Sequence, residues 1–217
     1  MYETFWLLLM GHFVGDFILQ TSTIARYKND QIKTLLLHCL LIFGAELMAI
    51  MFMWTVESVL LVLLLTSTHF CVDYIKSKLK QISFTKSGTY FLIDQFLHIL
   101  FIYWIALIMP QGKTLIPVEI AIAIVAVILN SYFSDILFYL FSTQSGTRPY
   151  QRNYLDYFLR GLSIFPFLIH FIWGLGYFVI AFLILLRYKQ HKKVVLHKFI
   201  FTLLINILFL IIWRRYQ

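Results

Sequence analysis

Long apolar runs recur along the chain, each closed by a short polar gap. They occupy residues 4–25, 33–54, 56–75, 89–110, 115–141, 154–186 and 194–213. A helix needs ~20 mostly apolar residues to cross a hydrocarbon core of about 30 Å, and most of these runs have that length. They are rich in Leu and Ile and show no alternation of period two. Backbone polar groups in lipid must be paired within the structure, which leaves helices or a closed barrel. The pattern predicts helices, so the expected fold class is all-α, a polytopic transmembrane helical bundle of seven or eight segments. The number turns on 154–186. A single span there puts one flanking basic cluster outside, whereas a hairpin broken at Pro166 and at Gly174 and Gly176 keeps both inside. The hairpin gives eight segments and leaves Arg214 and Arg215 outside; a single span gives seven.

Composition agrees with this reading. Of 217 residues, 61% are hydrophobic and 13% charged, against about a quarter charged in a soluble domain. The formal charge is +8, and its basic residues gather in alternate gaps. Arg26, Lys28 and Lys33 form the first group, and Lys76, Lys78, Lys80 and Lys86 the second. Arg148 and Arg152 follow, then Arg187, Lys189, Lys192, Lys193 and Lys198 before the last segment. The other gaps hold only Lys113. Lys and Arg prefer the cytoplasmic side, which puts the N-terminus outside. The first residues lack the basic stretch and cleavage site of a secretory signal, so the first run is expected to be retained. Cys39 and Cys71 are isolated and make no disulfide framework. Membrane lipids are the expected partners, and nucleic acid is not.

Ionisable residues inside the runs carry the chemistry. His12-Phe13-Val14-Gly15-Asp16-Phe17-Ile18 and His69-Phe70-Cys71-Val72-Asp73-Tyr74-Ile75 share one pattern, and Asp94-Gln95-Phe96-Leu97-His98 has the same spacing reversed. The first two suggest an internal duplication within a four-helix core, residues 1–110, followed by C-terminal helices over 111–217. On a helix, positions i and i+4 are neighbours, so each pair is expected to present an imidazole beside a carboxylate. His38 adds a fourth imidazole. With a rise of 1.5 Å per residue, all seven side chains fall within roughly 5–20 Å of the same membrane boundary.

Such groups cost ~2.5–3.5 kcal/mol each on insertion scales, and a divalent cation would keep several carboxylates ionised in apolar surroundings. The expected ligands are His12, Asp16, His38, His69, Asp73, Asp94 and His98, more than one tetrahedral zinc ion uses. One or two ions are expected, zinc first, with one of Asp16, Asp73 and Asp94 free to act as general base. Gln20, Gln95, Lys76 and Asp135 are candidates to bind substrate or to hold the ligands. Asp156 and Arg160, at i and i+4, read as an interfacial ion pair, and His170 and His197 as groups outside the site.

The elements His12/Asp16/Gln20, His38, His69/Asp73/Lys76 and Asp94/Gln95/His98 resemble a bacterial integral-membrane family catalogued as domain of unknown function 3307. The likeness covers about the first 105 residues and implies a bacterial plasma membrane. That family is loosely similar to membrane-bound metal-dependent hydrolases, which implies a hydrolase with His and Asp ligands in its helices.

Three functions compete. A membrane-embedded metal-dependent hydrolase would act on a lipid or lipid-linked substrate from the cytoplasmic leaflet, since a metal ion generates a nucleophile from water near neutral pH. A divalent-cation or proton transporter would use the same groups as a relay, but they cluster on one side. A sensor or partner subunit would keep a structural metal. No serine-nucleophile motif or phosphate-binding loop is present.

Overall fold

The computed structural model describes residues 2–79, 87–142, 153–188 and 192–215. Lys80, Lys86, Arg148, Arg152, Lys189 and His191 lie outside the described residues, so the basic gaps they belong to are only part described. The chain divides into two compact units, Met1–Ala121 and Ile122–Gln217.

The first unit holds α1 (Tyr2–Phe13), a π-helical turn (Val14–Ile18), a short α2 (Ser22–Tyr27), α3 (Ile32–Ala49), α4 (Val56–Lys78) and α5 (Gly88–Ile108). The second unit takes in most of α6 (Val118–Ile128), which begins at the end of the first. A second π turn (Leu129–Phe133) follows, then α7 (Ser134–Phe141), α8 (Tyr154–Leu162), α9 (Ile164–Ile169), α10 (Phe171–Tyr188) and α11 (Lys192–Trp213). No strand occurs among the described residues.

Five of these stretches are long and apolar enough to cross a membrane: Ile32–Ala49, Val56–Lys78, Gly88–Ile108, Val118–Phe141 and Val194–Trp213. Phe171–Arg187 is a shorter apolar helix. Exposure follows the same logic. On α3, His38 is fully buried while Leu40 is 63% exposed. Large apolar side chains such as Leu60, Leu63, Leu64, Ile93, Phe96 and Trp104 face outward on α4 and α5, while His69, Asp73, Asp94, Gln95 and His98 are buried. This inversion suits a chain whose solvent is lipid, and marks an integral membrane protein.

Within the first unit the helices close a ring: α1 packs on α3 and α5, α3 on α4, and α4 on α5. Two glycines set the α1–α3 seam. A Cβ on Gly11 would stand 2.8 Å from the Ala45 carbonyl oxygen, and one on Gly15 would stand 2.8 Å from Ile42 Cα. Gly-x-x-x-Gly permits this close backbone approach between membrane helices. The buried faces of α4 (Thr66, His69, Asp73) and α5 (Asp94, Gln95, His98) turn into the ring. Local caps fix the helix starts. Thr55 and Ser58 form a capping box on α4, and Ser87 accepts the Tyr90 N–H on α5.

Two runs differ from expectation. The first helical stretch ends at Ile18 rather than near residue 25, because Thr21 starts a new helix by accepting the Ile24 N–H at 3.3 Å. The 154–186 run is three helices, broken at Ser163 and at His170, whose backbone is extended (φ −160°, ψ 135°). Pro166 sits in the first turn of α9, where its missing N–H costs nothing. Gly174 and Gly176 lie inside α10. Gly174 is a packing position, since a Cβ there would run into the Phe167 ring.

Candidate metal centre

The ring of four helices has a polar interior. His12 and Asp16 come from α1 and its π turn, His38 and Glu46 from α3, Thr66, His69 and Asp73 from α4, and Asp94, Gln95 and His98 from α5. All are buried. The seven predicted ligands converge there. Three sets of three each offer ligand atoms within 4.8 Å of one another: His12/His69/His98, Asp16/His38/His69 and Asp73/Asp94/His98. His69 and His98 each belong to two sets and stack at 4.2 Å between ring centroids.

His38 Nε2 is the most crowded donor atom. It lies 3.3 Å from His69 Nε2, 3.3 Å from Asp16 Oδ1 and 3.6 Å from Asp73 Oδ2. His69 Nε2 lies 3.5 Å from the same Asp73 oxygen. Tetrahedral ligands bonded at ~2.0–2.1 Å stand roughly 3.4 Å apart, so these separations have the scale of one coordination shell. At the same time His12 Nε2, His38 Nδ1, His69 Nδ1, His98 Nε2 and Asp94 Oδ1 have no hydrogen-bond partner among the described residues. Buried polar atoms are normally satisfied; His12 Nε2 and His98 Nε2 are orphans on rings that pack against His69 within the cluster, whereas the Nδ1 atoms of His38 and His69 lie on the ring side away from their clustered Nε2 atoms.

Two of the three i,i+4 pairs form as the spacing predicts, His69–Asp73 at 3.5 Å and, more loosely, His98–Asp94 at 3.8 Å. The first pair separates. The π turn at Val14–Ile18 widens the helix, so His12 turns to Glu46 while Asp16 turns to His38. π turns of this kind recur at functional sites.

Asp16 and Asp73 face the ammonium group of Lys28 and Asp94 that of Lys76, while Glu46 pairs with His12. Lys28 reaches Asp73 at 2.8 Å, His38 at 3.0 Å and Asp16 at 3.7 Å, and Lys76 reaches Asp94 at 2.6 Å. Burial alone would lower the Lys28 ammonium, but the Asp73 and Asp16 carboxylates outweigh it and hold it above the ordinary lysine range.

The other candidates divide. Gln95 joins the cluster, donating to Asp16 at 3.3 Å and to Asp94 at 3.5 Å. Lys76 joins through Asp94. Gln20 is part-buried just beyond the π turn. Asp135 belongs to the second unit, where Lys198 and Arg160 pair with it. Asp156 and Arg160 do form an ion pair, at 2.8 Å, and both are buried within the second unit. They sit with Lys198, which is a buried residue of α11 and not a loop charge, because Asp135 and Asp156 on α7 and α8 face it. His170 and His197 are exposed.

Sequence reasoning missed Glu46. It accepts from His12 Nδ1 at 3.0 Å and from Thr66 Oγ1 at 3.3 Å. Its signal is a lone carboxylate deep in an apolar run. In sequence Lys28 reads as a topology signal alone; it lies ten residues before His38 and gives no periodic cue.

A family model described as "Protein of unknown function (DUF3307)" matches residues 4–124. The chain belongs to this family. Every residue of the cluster lies within the matched stretch, and α7 to α11 lie beyond it. No curated protein and no solved structure matches the chain.

Proposed function

We propose that the first unit is a membrane-embedded, metal-dependent hydrolase acting on a lipid or lipid-linked substrate from the cytoplasmic leaflet. The observation that carries this reading is the crowding at His38 Nε2, where two imidazoles and two carboxylates from three helices meet around one atom, beside imidazole nitrogens with no partner. A divalent ion in the place of the Lys28 ammonium would hold these donors together. Imidazole and carboxylate donors suit zinc, and three overlapping ligand sets leave room for one ion or two.

A bound ion would supply an acidified water and polarise a phosphoryl or acyl oxygen. The chain supplies the rest. Glu46 fixes the His12 ring so that Nε2 faces the cluster, as carboxylates do behind metal-binding imidazoles. Gln95 orients Asp16 and Asp94. Asp94 keeps one oxygen without a hydrogen bond, which suits it to take a proton as general base. In the membrane we take the bundle to have seven or eight segments. The five long helices are joined by α1 with its π turn and by α10, with α8 and α9 as the inner arm of a hairpin. The N-terminus is outside and the cluster toward the cytoplasmic leaflet of a bacterial plasma membrane.

The test is metal content, by mass spectrometry, of purified protein and of a His69→Ala/Asp73→Ala variant, followed by a lipid-hydrolysis panel. One or two equivalents of a transition metal, lost in the variant, is the expected result. Well-folded protein that takes up no metal on reloading would overturn the reading. Metal uptake into proteoliposomes, abolished by Asp73→Asn, would replace hydrolysis by transport.

A further inference from the structure

A cavity of about 380 Å³ opens where the α2–α3 turn meets the last turn of α4. Its polar lining is Lys28, Asn29, Asp30, Gln31, Ser77 and Lys78. That size falls in the range of small-molecule sites. The Lys78 ammonium, two side-chain amides and the Ser77 and Tyr74 hydroxyls supply donors beside one carboxylate, while the Lys28 ammonium is held by Asp73 and His38. One wall is the start of α3, whose N-cap residue Gln31 makes no side-chain cap, so the first N–H groups of that helix remain available.

Lys28 gives the cavity its meaning. It lines the cavity and also contacts His38 and Asp73. An anion held beside it is one side chain from the ligand cluster. We infer that this cavity holds the phosphate group of a phosphoester, placing the ester next to the cluster. The inference rests on the hydrolase reading and deepens it by naming the substrate class. Phosphate fits better than carboxylate because its several acceptor oxygens can use Lys78 and the neutral donors together. The same chemistry could be presented by a lipid headgroup or by a soluble phosphate.

The experiment is calorimetric titration of the purified chain in phosphate-free detergent with dioctanoyl phosphatidic acid, inorganic phosphate and dioctanoylglycerol. Metal content is measured on the same samples. Phosphatidic acid is expected to bind and dioctanoylglycerol not. Lys78→Glu is expected to weaken binding about tenfold, while Lys113→Glu, outside the cavity lining, leaves it unchanged. Binding of phosphatidic acid alone identifies a lipid headgroup, and equal binding of inorganic phosphate identifies a soluble source. The inference is overturned if neither phosphate probe binds, if dioctanoylglycerol binds as well as phosphatidic acid, or if Lys78→Glu has no effect. Phosphate binding by protein that takes up no metal would keep the anion site and remove the hydrolase. Metal without phosphate binding would do the reverse.

Discussion

His12 Nδ1 stands 3.0 Å from Glu46 Oε1 across the seam where α1 and α3 approach most closely. The two residues lie on different helices, and both are almost wholly buried. Thr66 donates to the second Glu46 oxygen from a third helix. The carboxylate thus fixes the orientation of the imidazole and leaves Nε2 as its only free atom. Carboxylates stand in this way behind metal-binding imidazoles, and under the proposed function Nε2 is the atom that meets the ion.

Glu46→Gln therefore separates orientation from folding. The amide keeps an acceptor for His12, so the helices still assemble. Metal affinity is expected to fall about 10- to 100-fold, read by competition with a chromophoric chelator. An unchanged affinity would mean that the charge of Glu46 does not tune the site.

Gly11→Ala tests the seam itself. The new Cβ meets backbone at 2.8 Å on both Ala45 and Glu46, and backbone cannot step aside as a flexible side chain can. A loss of about 1–3 kcal/mol is expected, seen as a lower melting temperature in detergent. Gly44→Ala, with nothing within 4 Å of its Cβ, serves as control and should match wild type.

Much of this centre is legible in the sequence. His12, His38, His69 and His98 stand out because imidazoles are rare in apolar runs, and helical spacing links two of them to Asp73 and Asp94. What periodicity does not supply is the π turn. One extra residue in the turn sends His12 and Asp16 to different partners, and nothing in a hydrophobic pattern marks that change. The second unit is less legible. Lys198 reads as a loop charge until Asp135 and Asp156 are placed opposite it, and partners so distant in sequence leave no local trace. The hairpin glycines mislead for a related reason, since a glycine that admits the Phe167 ring looks in sequence like one that ends a helix.

Lys28 is a cation already seated among the ligands, at 2.8 Å from Asp73 and 3.0 Å from His38. A metal ion using those atoms must displace it. Lys28→Gln leaves the carboxylates uncompensated in the metal-free protein, which is expected to lose up to about 3 kcal/mol. The same change removes a competitor, so zinc should bind more tightly and raise the melting temperature of the variant further than that of wild type. Equal shifts in the two proteins would mean that the ammonium and the metal do not share a place.

The buried ion pairs of the second unit offer a test of another kind. Arg160 is fully buried. It donates to Asp156 through Nε at 2.8 Å and to the Asn130 carbonyl and the Ser134 hydroxyl through Nη1, while Lys198 bridges Asp135 and Asp156. Among the described residues two acids and two bases meet here, so removing one base takes a cation from beside Asp156. Arg160→Met is expected to cost about 3–5 kcal/mol. Asp156→Leu added to it removes the carboxylate that lost its nearest cation, and Lys198 still faces Asp135. The double variant should therefore be more stable than Arg160→Met alone, even though it carries one more substitution. Thermal unfolding in detergent of both single variants and the double variant closes the cycle. Simple additivity of the two losses would show that the pairs act independently and that no charge is stranded when Arg160 is removed.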